Sequence, residues 1–240
     1  MMSPRWAKSM VRINRVYTGG GDSGESSMVD GSRRRKSDPR FEVVGLCDEV
    51  NSWLGTVLME LARLPDHDDG GVRSSAQRVN IVVSEALGRV QNELFDIGAE
   101  LACPPETLPD YMVLVGTEQT ELLMSEMDAW LEGLDELTSF VLPTGSGPVA
   151  FMHLARTVSR RLERAVVSLV DIEGEDAVRD VVKVYLNRLS DWLFVMGRWT
   201  SMMLNEAETL WVPLGQRPAE KGVAHRVAQM RASDEELSDL

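Results

Sequence analysis

Seven apolar residues, Val79, Val83, Leu87, Val90, Leu94, Ile97 and Leu101, recur at steps of three and four. That spacing gathers all seven on one stripe of an α-helix and would scatter them over both faces of a strand. A helix from about Ser74 to Leu101 is predicted, and its stripe needs helical partners to cover it. Phe41 to Leu64 repeats the pattern through Val44, Val50, Leu54, Leu58 and Leu61. Thr117 to Leu131 reads as an acidic third helix. A fourth carries Leu154, Val158, Leu162, Ala165 and Leu169 and ends at Ile172 to Gly174. A fifth spans about Asp176 to Asn205, with Val178, Val181, Val182, Tyr185, Leu189, Leu193 and Met196 inward.

The segments between them are breakers. Pro65 to Gly71 is turn-rich, and Pro104, Pro105 and Pro109 enforce a loop. Phe140 to Pro148 is a loop from which Ser146 is expected to cap the fourth helix, with Pro148 in its first turn. Five long helices with few strand signals define an all-α fold, a helical bundle. The polar segment Pro213 to Leu240 is expected to be poorly ordered, apart from a short helix over Val223 to Met230.

Composition removes several function classes. No apolar run is long enough to span a bilayer. Met1 to Arg15 has Arg5, Lys8, Arg12 and Arg15, no acid and no apolar core. It is therefore no secretory signal, and reads as a short disordered extension or a transit peptide. Cys47 and Cys103 lie outside any CxxC pair, as expected of reduced thiols in the cytoplasm. His67, His153 and His225 are scattered with no Glu-x-x-His pair, so no dedicated metal site is expected. The net charge of −13 argues against a nucleic-acid partner. It is uneven: residues 1–40 hold nine Lys and Arg against four Asp and Glu, the rest sixteen against thirty-four. Local basic clusters in an acidic protein suit a small anion.

The strongest such cluster is Arg156-Thr157-Val158-Ser159-Arg160-Arg161-Leu162-Glu163-Arg164. Arg156, Arg160 and Arg164 recur every fourth residue, stack on one helix face and repel one another. An anion against that face relieves the repulsion, and the guanidinium fork matches phosphate oxygens. Structural salt bridges are the plain alternative. Thr18-Gly19-Gly20-Gly21-Asp22-Ser23-Gly24-Glu25-Ser26-Ser27 must be loop. Its amides and hydroxyls can approach phosphate closely, but it is neither a Walker A loop nor a Rossmann fingerprint. Taken alone it reads equally as a flexible linker. Lys36 to Arg40 and Cys47 to Asn51 follow. Asp48 and Glu49 are placed near a helix start, where acids suit the dipole; one of them is the candidate partner for an arginine of the 156–164 segment. Asn187, Asp191 and Arg198 share a face of the fifth helix. Phe140 is either a core plug or an aromatic pressed on a flat ligand.

In this order the segments resemble the PduO-type ATP:cob(I)alamin (corrinoid) adenosyltransferase family. The resemblance rests on Tyr17-Thr18 through Gly24, Lys36 to Arg40, Gly45 to Asn51, Gln91 to Ala99, Phe140 to Gly145, Arg156 to Arg164, Tyr185 to Asp191 and Trp211. It divides the chain into an extension (1–12), an adenosyltransferase bundle (13–211) with an ATP-binding loop (17–40), and a polar tail (212–240). It implies a homotrimer with active sites between subunits. The implied reaction moves the 5′-deoxyadenosyl group of ATP to cob(I)alamin, giving adenosylcobalamin and triphosphate. Cob(I)alamin is itself the nucleophile, so no catalytic nucleophile is needed on the protein. By resemblance, Thr18, Gly19, Gly20, Gly21, Ser26, Ser27, Lys36, Arg160, Arg161, Leu162, Glu163, Arg164 and Asn187 bind the nucleotide, with Mg²⁺ bridging phosphates. Asp48 and Arg156 match a pair that bridges subunits, and Phe140 an aromatic that helps displace the lower axial base of the corrinoid. A cobalamin reductase and an adenosylcobalamin-dependent enzyme are the implied partners. One departure stands out. Where the family commonly has Lys or Arg after the loop threonine, this chain has Gly19 and Gly20; Arg33, Arg34 or Arg35 are the candidate replacements. That departure supports a second reading, a non-catalytic module that binds ATP or adenosylcobalamin for delivery or sensing. A generic helical interaction protein, its arginines serving only as salt bridges, is the third.

Overall fold

A computed structural model describes residues 17, 19–64, 74–217 and 223–238 of the chain. A small antiparallel hairpin, β1 (Glu25–Ser27) and β2 (Arg33–Arg35), precedes the helices α1 (Pro39–Leu61), α2 (Ser75–Leu101), α3 (Thr117–Leu131), α4 (Gly147–Glu173), α5 (Asp180–Met203) and α6 (Ala224–Ser238). The five long predicted helices are all present. The hairpin was not expected. Ser26, Ser27 and Arg33 to Arg35 form its strands, with Glu25 opposite Arg35 and Ser27 opposite Arg33. The turn at Gly31, where φ is +82°, lets two strands of only three residues close.

Local chemistry sets the helix bounds. Asp38 caps α1 by accepting from the Arg40 N–H at 2.9 Å, with Pro39 in the first turn. Ser74 caps α2 by accepting from the Gln77 N–H at 3.0 Å. Gln119 reaches back to the Gly116 N–H and opens α3. Gly174, at φ +103°, ends α4. Ser146 holds the cap position of α4, yet its hydroxyl makes no capping bond and is buried without a partner among the described residues. Its backbone N–H donates instead to Glu206 at 3.1 Å.

α1, α2, α5 and α4 pack as a closed ring of four, and α3 lies outside against α5. The seven α2 residues named above are all buried. Trp130 of α3 meets Trp192 and Trp199 of α5 at 5.7 and 6.1 Å between ring centroids. The buried line of α4 differs from the expected one. It runs through Met152, Ala155, Ser159, Leu162, Val166 and Leu169, while Leu154 is 42% exposed. Ala155 and Ser159 are short, which lets α1 and α5 approach α4 closely on both sides. α5 begins four residues later than expected. Arg179 is held extended there because its guanidinium binds both Glu100 oxygens, at 2.6 and 2.7 Å, and the Val115 carbonyl at 2.8 Å. The 65–71 break and residues 1–16 lie outside the described residues, and α6 extends over more of the tail than the 223–230 expectation. Among the described residues no helix is long and apolar enough to cross a membrane.

Candidate functional site

Three groups of residues are organised by this frame. The first is the glycine loop, of which Thr18 lies outside the described residues. Gly19 sits at φ +71°, a conformation that disfavours any larger residue. The Lys36 ammonium lies over Gly21, since a Cβ at that position would be 3.0 Å from it. Arg33 donates to the Gly20 carbonyl at 2.7 Å. A cation therefore does reach the loop, from β2 rather than from the residue after the threonine. Strand alternation separates the three arginines. Arg33 and Arg35 share one face of the hairpin with Ser27, and Ser26 shares the other with Arg34. Arg34 pairs with Asp38 at 3.3 Å and Glu173 at 3.2 Å, so it is not the loop's cation.

The second group lies on α4 and α5. Asn187 donates to Glu163 at 2.7 Å, and Arg188 donates to Asn187 at 2.6 Å. Arg160 and Arg164 are exposed beside this pair. The Arg164 guanidinium reaches the Arg160 carbonyl at 3.1 Å, and the Arg160 guanidinium has no ion pair among the described residues. Arg161 pairs with Glu49. The acid that meets the arginine segment within one chain is thus Glu49, and Asp48 remains exposed. Both lie in the third turn of α1, because that helix begins at Pro39; Glu42 is the acid of its first turn. Leu162 is fully buried in the core, so its side chain is withdrawn from any nucleotide. Asp191 is exposed and pairs weakly with Arg188 at 3.6 Å. Arg198 belongs elsewhere: it is buried and bound to Glu208 at 2.8 Å and the Asp135 carbonyl at 2.9 Å.

The third group surrounds a cavity of about 860 Å³ lined by residues that include Phe140, Arg156, Phe194, Trp211 and Gln216. Phe140 is 77% exposed, which removes the core-plug reading. Its loop is zipped to the chain after α5: the Trp211 N–H donates to the Phe140 carbonyl at 2.7 Å, the Leu142 N–H to the Thr209 carbonyl at 2.8 Å, and the two rings meet edge to face at 6.1 Å. Arg156 lies 6.0 Å from the Phe194 ring, with its Nε buried and unpartnered among the described residues. Burial, and then Arg160, pull the Arg156 pKa below its ordinary value. Burial, and then Arg156, do the same to His153. Asp48 lines a separate groove of about 380 Å³ with Met28, Phe41, Cys47 and the 69% exposed Phe95. Burial, and then Asp48, push the Cys47 thiol up to about 12, which disables it as a nucleophile.

Phe194 carries no distinguishing sequence signal, because it sits among core residues of α5. A buried network is almost equally silent in the pattern. Tyr185 donates to Glu93 at 2.6 Å, Arg89 donates to Glu93 at 2.8 and 3.0 Å and to Glu126 at 2.7 Å, and the Trp192 indole donates to Glu126 at 2.7 Å. The Arg89–Glu93 spacing of four was its one visible sign.

A helical bundle with a cation-lined glycine loop, an exposed arginine face on α4 and a mostly apolar cavity that Arg156 of the same helix also lines offers places for a polyphosphate and for a second, flat ligand. A family profile described as "Cobalamin adenosyltransferase" matches residues 16–200, and the chain belongs to that family. It is 36% identical over 210 residues to the corrinoid adenosyltransferase of Mycobacterium tuberculosis H37Rv, covering 87% of this chain and 98% of that one. It is 34% identical to the human corrinoid adenosyltransferase over 87% of this chain and 78% of that one. A variant PduO-type ATP:corrinoid adenosyltransferase from Lactobacillus reuteri, complexed with cobalamin and ATP, superposes with a TM-score of 0.70. That match has 28% identity and covers 83% of this chain and 100% of the other.

Proposed function

We propose that this protein transfers the 5′-deoxyadenosyl group of ATP to cob(I)alamin, releasing triphosphate and forming adenosylcobalamin. One observation carries the reading. Arg156 opens onto the apolar cavity, and Arg160 stands on the same helix four residues away, about 6 Å along the axis. A flat apolar substrate and a polyphosphate can therefore meet side by side on α4.

In the reaction the cobalt electron pair attacks C5′, and the C5′–O5′ bond breaks with its electrons leaving on triphosphate. Charge grows on that leaving oxygen, and fixed cations stabilise it without reorganising. Arg160, Arg164, Lys36 and Arg33 are available for this role, and Arg161 contributes from its pair with Glu49. The Glu163–Asn187 pair orients polar groups for the nucleoside end. Phe140 and Trp211 form the apolar wall against which the corrinoid lies and from which its lower axial base is excluded. The donor set also fits Mg²⁺ that arrives with ATP, an ion held by one or two carboxylates plus phosphates. Glu163 is the carboxylate beside the arginines, and the bound ion would neutralise phosphate charge.

The assembly belongs to the proposal as well. In one chain the hairpin is tied through Arg34 to Glu173, nine residues and about 13 Å along α4 from Arg164. A homotrimer would let the loop of one copy meet the arginine face of another, with sites between subunits. The apolar groove around Phe95 and Asp48 is one half of the head-to-tail contact that a cyclic trimer needs. Two buried free cysteines support a cytoplasmic setting, where a reductase would supply cob(I)alamin and a cobalamin-dependent enzyme would take the product. The Arg33 contact to Gly20 weakens the non-catalytic reading, because the missing loop cation is replaced.

Protein, ATP, Mg²⁺ and chemically reduced cobalamin under strict anoxia should yield adenosylcobalamin, read by its absorbance. Absence of product with folded protein would sink the activity. Tight adenosylcobalamin binding without turnover would select the delivery or sensor module. Light scattering that finds a monomer would remove the trimer.

A further inference from the structure

The last residue of α4 is a glutamate, and the final turn of that helix holds no basic residue. A carboxylate is disfavoured there, because the helix presents the negative end of its dipole. Glu173 is compensated from outside the helix. Fully buried Arg40 donates to it through Nε at 2.9 Å and Nη2 at 2.5 Å. Arg34 donates to its other oxygen at 3.2 Å and to Asp38 at 3.3 Å. Arg40 also donates to the Leu101 carbonyl at 3.0 Å and the Ala177 carbonyl at 3.1 Å. One carboxylate thus joins β2, the start of α1, the end of α2 and the turn after α4.

We propose that Glu173 is a positioning residue for the nucleotide loop, acting through Arg34; the inference rests on the adenosyltransferase reading. Strand alternation is what makes the link directional. Arg34 points to the clasp, and its neighbours Arg33 and Arg35 point to the opposite face. Arg33 there holds the Gly20 carbonyl, and Lys36, two residues beyond Arg34, lies over Gly21. Fixing Arg34 therefore sets where both loop cations stand relative to the bundle. A hairpin of three-residue strands has little rigidity of its own, so its placement needs such an external lock. The lock acts on ATP and leaves the corrinoid cavity, which lies beyond Arg156 toward the other end of α4, untouched.

The test is Arg34→Met, which keeps the stem length and leaves the Arg40–Glu173 contact in place. The KM for ATP should rise about tenfold from mispositioned cations. The KM for cob(I)alamin, and kcat at saturating ATP, should stay within about twofold. Amide exchange over residues 19–36 should quicken, the melting temperature should hold, and Arg34→Lys should restore most of the ATP affinity. Glu173→Gln should raise the KM for ATP in the same way and also lower the melting temperature, because Arg40 loses its buried counter-charge. If wild-type enzyme turns over and Arg34→Met changes neither KM, or changes both alike, the clasp is merely structural and the activity stands. Unchanged exchange over 19–36 overturns the proposal whatever the activity. Wild-type protein that forms no adenosylcobalamin overturns the parent reading and this role with it.

Discussion

Replacing Arg160 by alanine separates the arginine face from the fold. The side chain is exposed and its guanidinium has no ion pair among the described residues, so truncation removes no stabilising contact. The carbonyl that Arg164 uses stays in place, because it belongs to the backbone. Like-charge repulsion with Arg156 and Arg164 is relieved, at about 0.2–0.5 kcal/mol for each pair. For a chain of this size, 1 kcal/mol shifts the melting temperature by about 2–4 °C. The ligand-free variant should therefore melt at the wild-type temperature or a degree or two above it. Binding tells the opposite story. Losing one charge-assisted hydrogen bond to triphosphate costs about 2 kcal/mol, roughly thirtyfold in affinity. At ATP one hundred times the wild-type Kd, wild type gains about 2.7 kcal/mol and the variant only about 0.9 kcal/mol. The ATP-induced shift in melting temperature should fall to about one third. Turnover at low ATP should fall by at least the binding factor, because the charge on triphosphate peaks as the bond breaks. Thermal melts with and without ATP, and the anoxic assay, measure both. A variant that keeps its full ATP shift and turnover, or that melts several degrees lower without ligand, would refute the assignment.

Three further outcomes follow from the geometry. Phe140→Ala should leave the melting temperature within about 1 °C, since the ring is largely exposed, while slowing adenosylation of cobalamin far more than it changes ATP binding. Tyr185→Phe removes a buried hydroxyl that donates to Glu93; denaturant titration should show a loss of about 1–2 kcal/mol, with the ATP-induced stabilisation retained. His153 is held neutral by burial and then by Arg156, so its folded pKa lies below its unfolded one. The unfolded chain therefore takes up the proton first as pH falls, and this part of the stability is lost on going down from about pH 6.5. His153→Gln should flatten the pH dependence of the melting temperature in that window; an unchanged slope would show that other groups carry it.

The arginine part of the candidate site was legible in its arrangement because those residues lie on a long, strongly periodic helix. Arg156, Arg160 and Arg164 could be assigned to one face from spacing alone, and the face is there. Partners across helices were not legible. Glu49 rather than Asp48 meets Arg161, and Arg198 turns inward to Glu208, because both outcomes depend on how neighbouring helices rotate and where loops return. The hairpin was missed for a related reason. Its strands are three residues long, too short for alternation to register, and arginines dominate one of them.

The helices, their breaks and the residue types suited to a polyphosphate are readable along the chain, since period and turn chemistry are local. Which charges are free and which are used depends on how the elements pack. Arg33, Arg34 and Arg35 are adjacent and chemically identical, yet one holds the glycine loop and another is locked to Glu173. That division follows from strand alternation and from a carboxylate 139 residues away in sequence, which only packing brings within hydrogen-bonding distance.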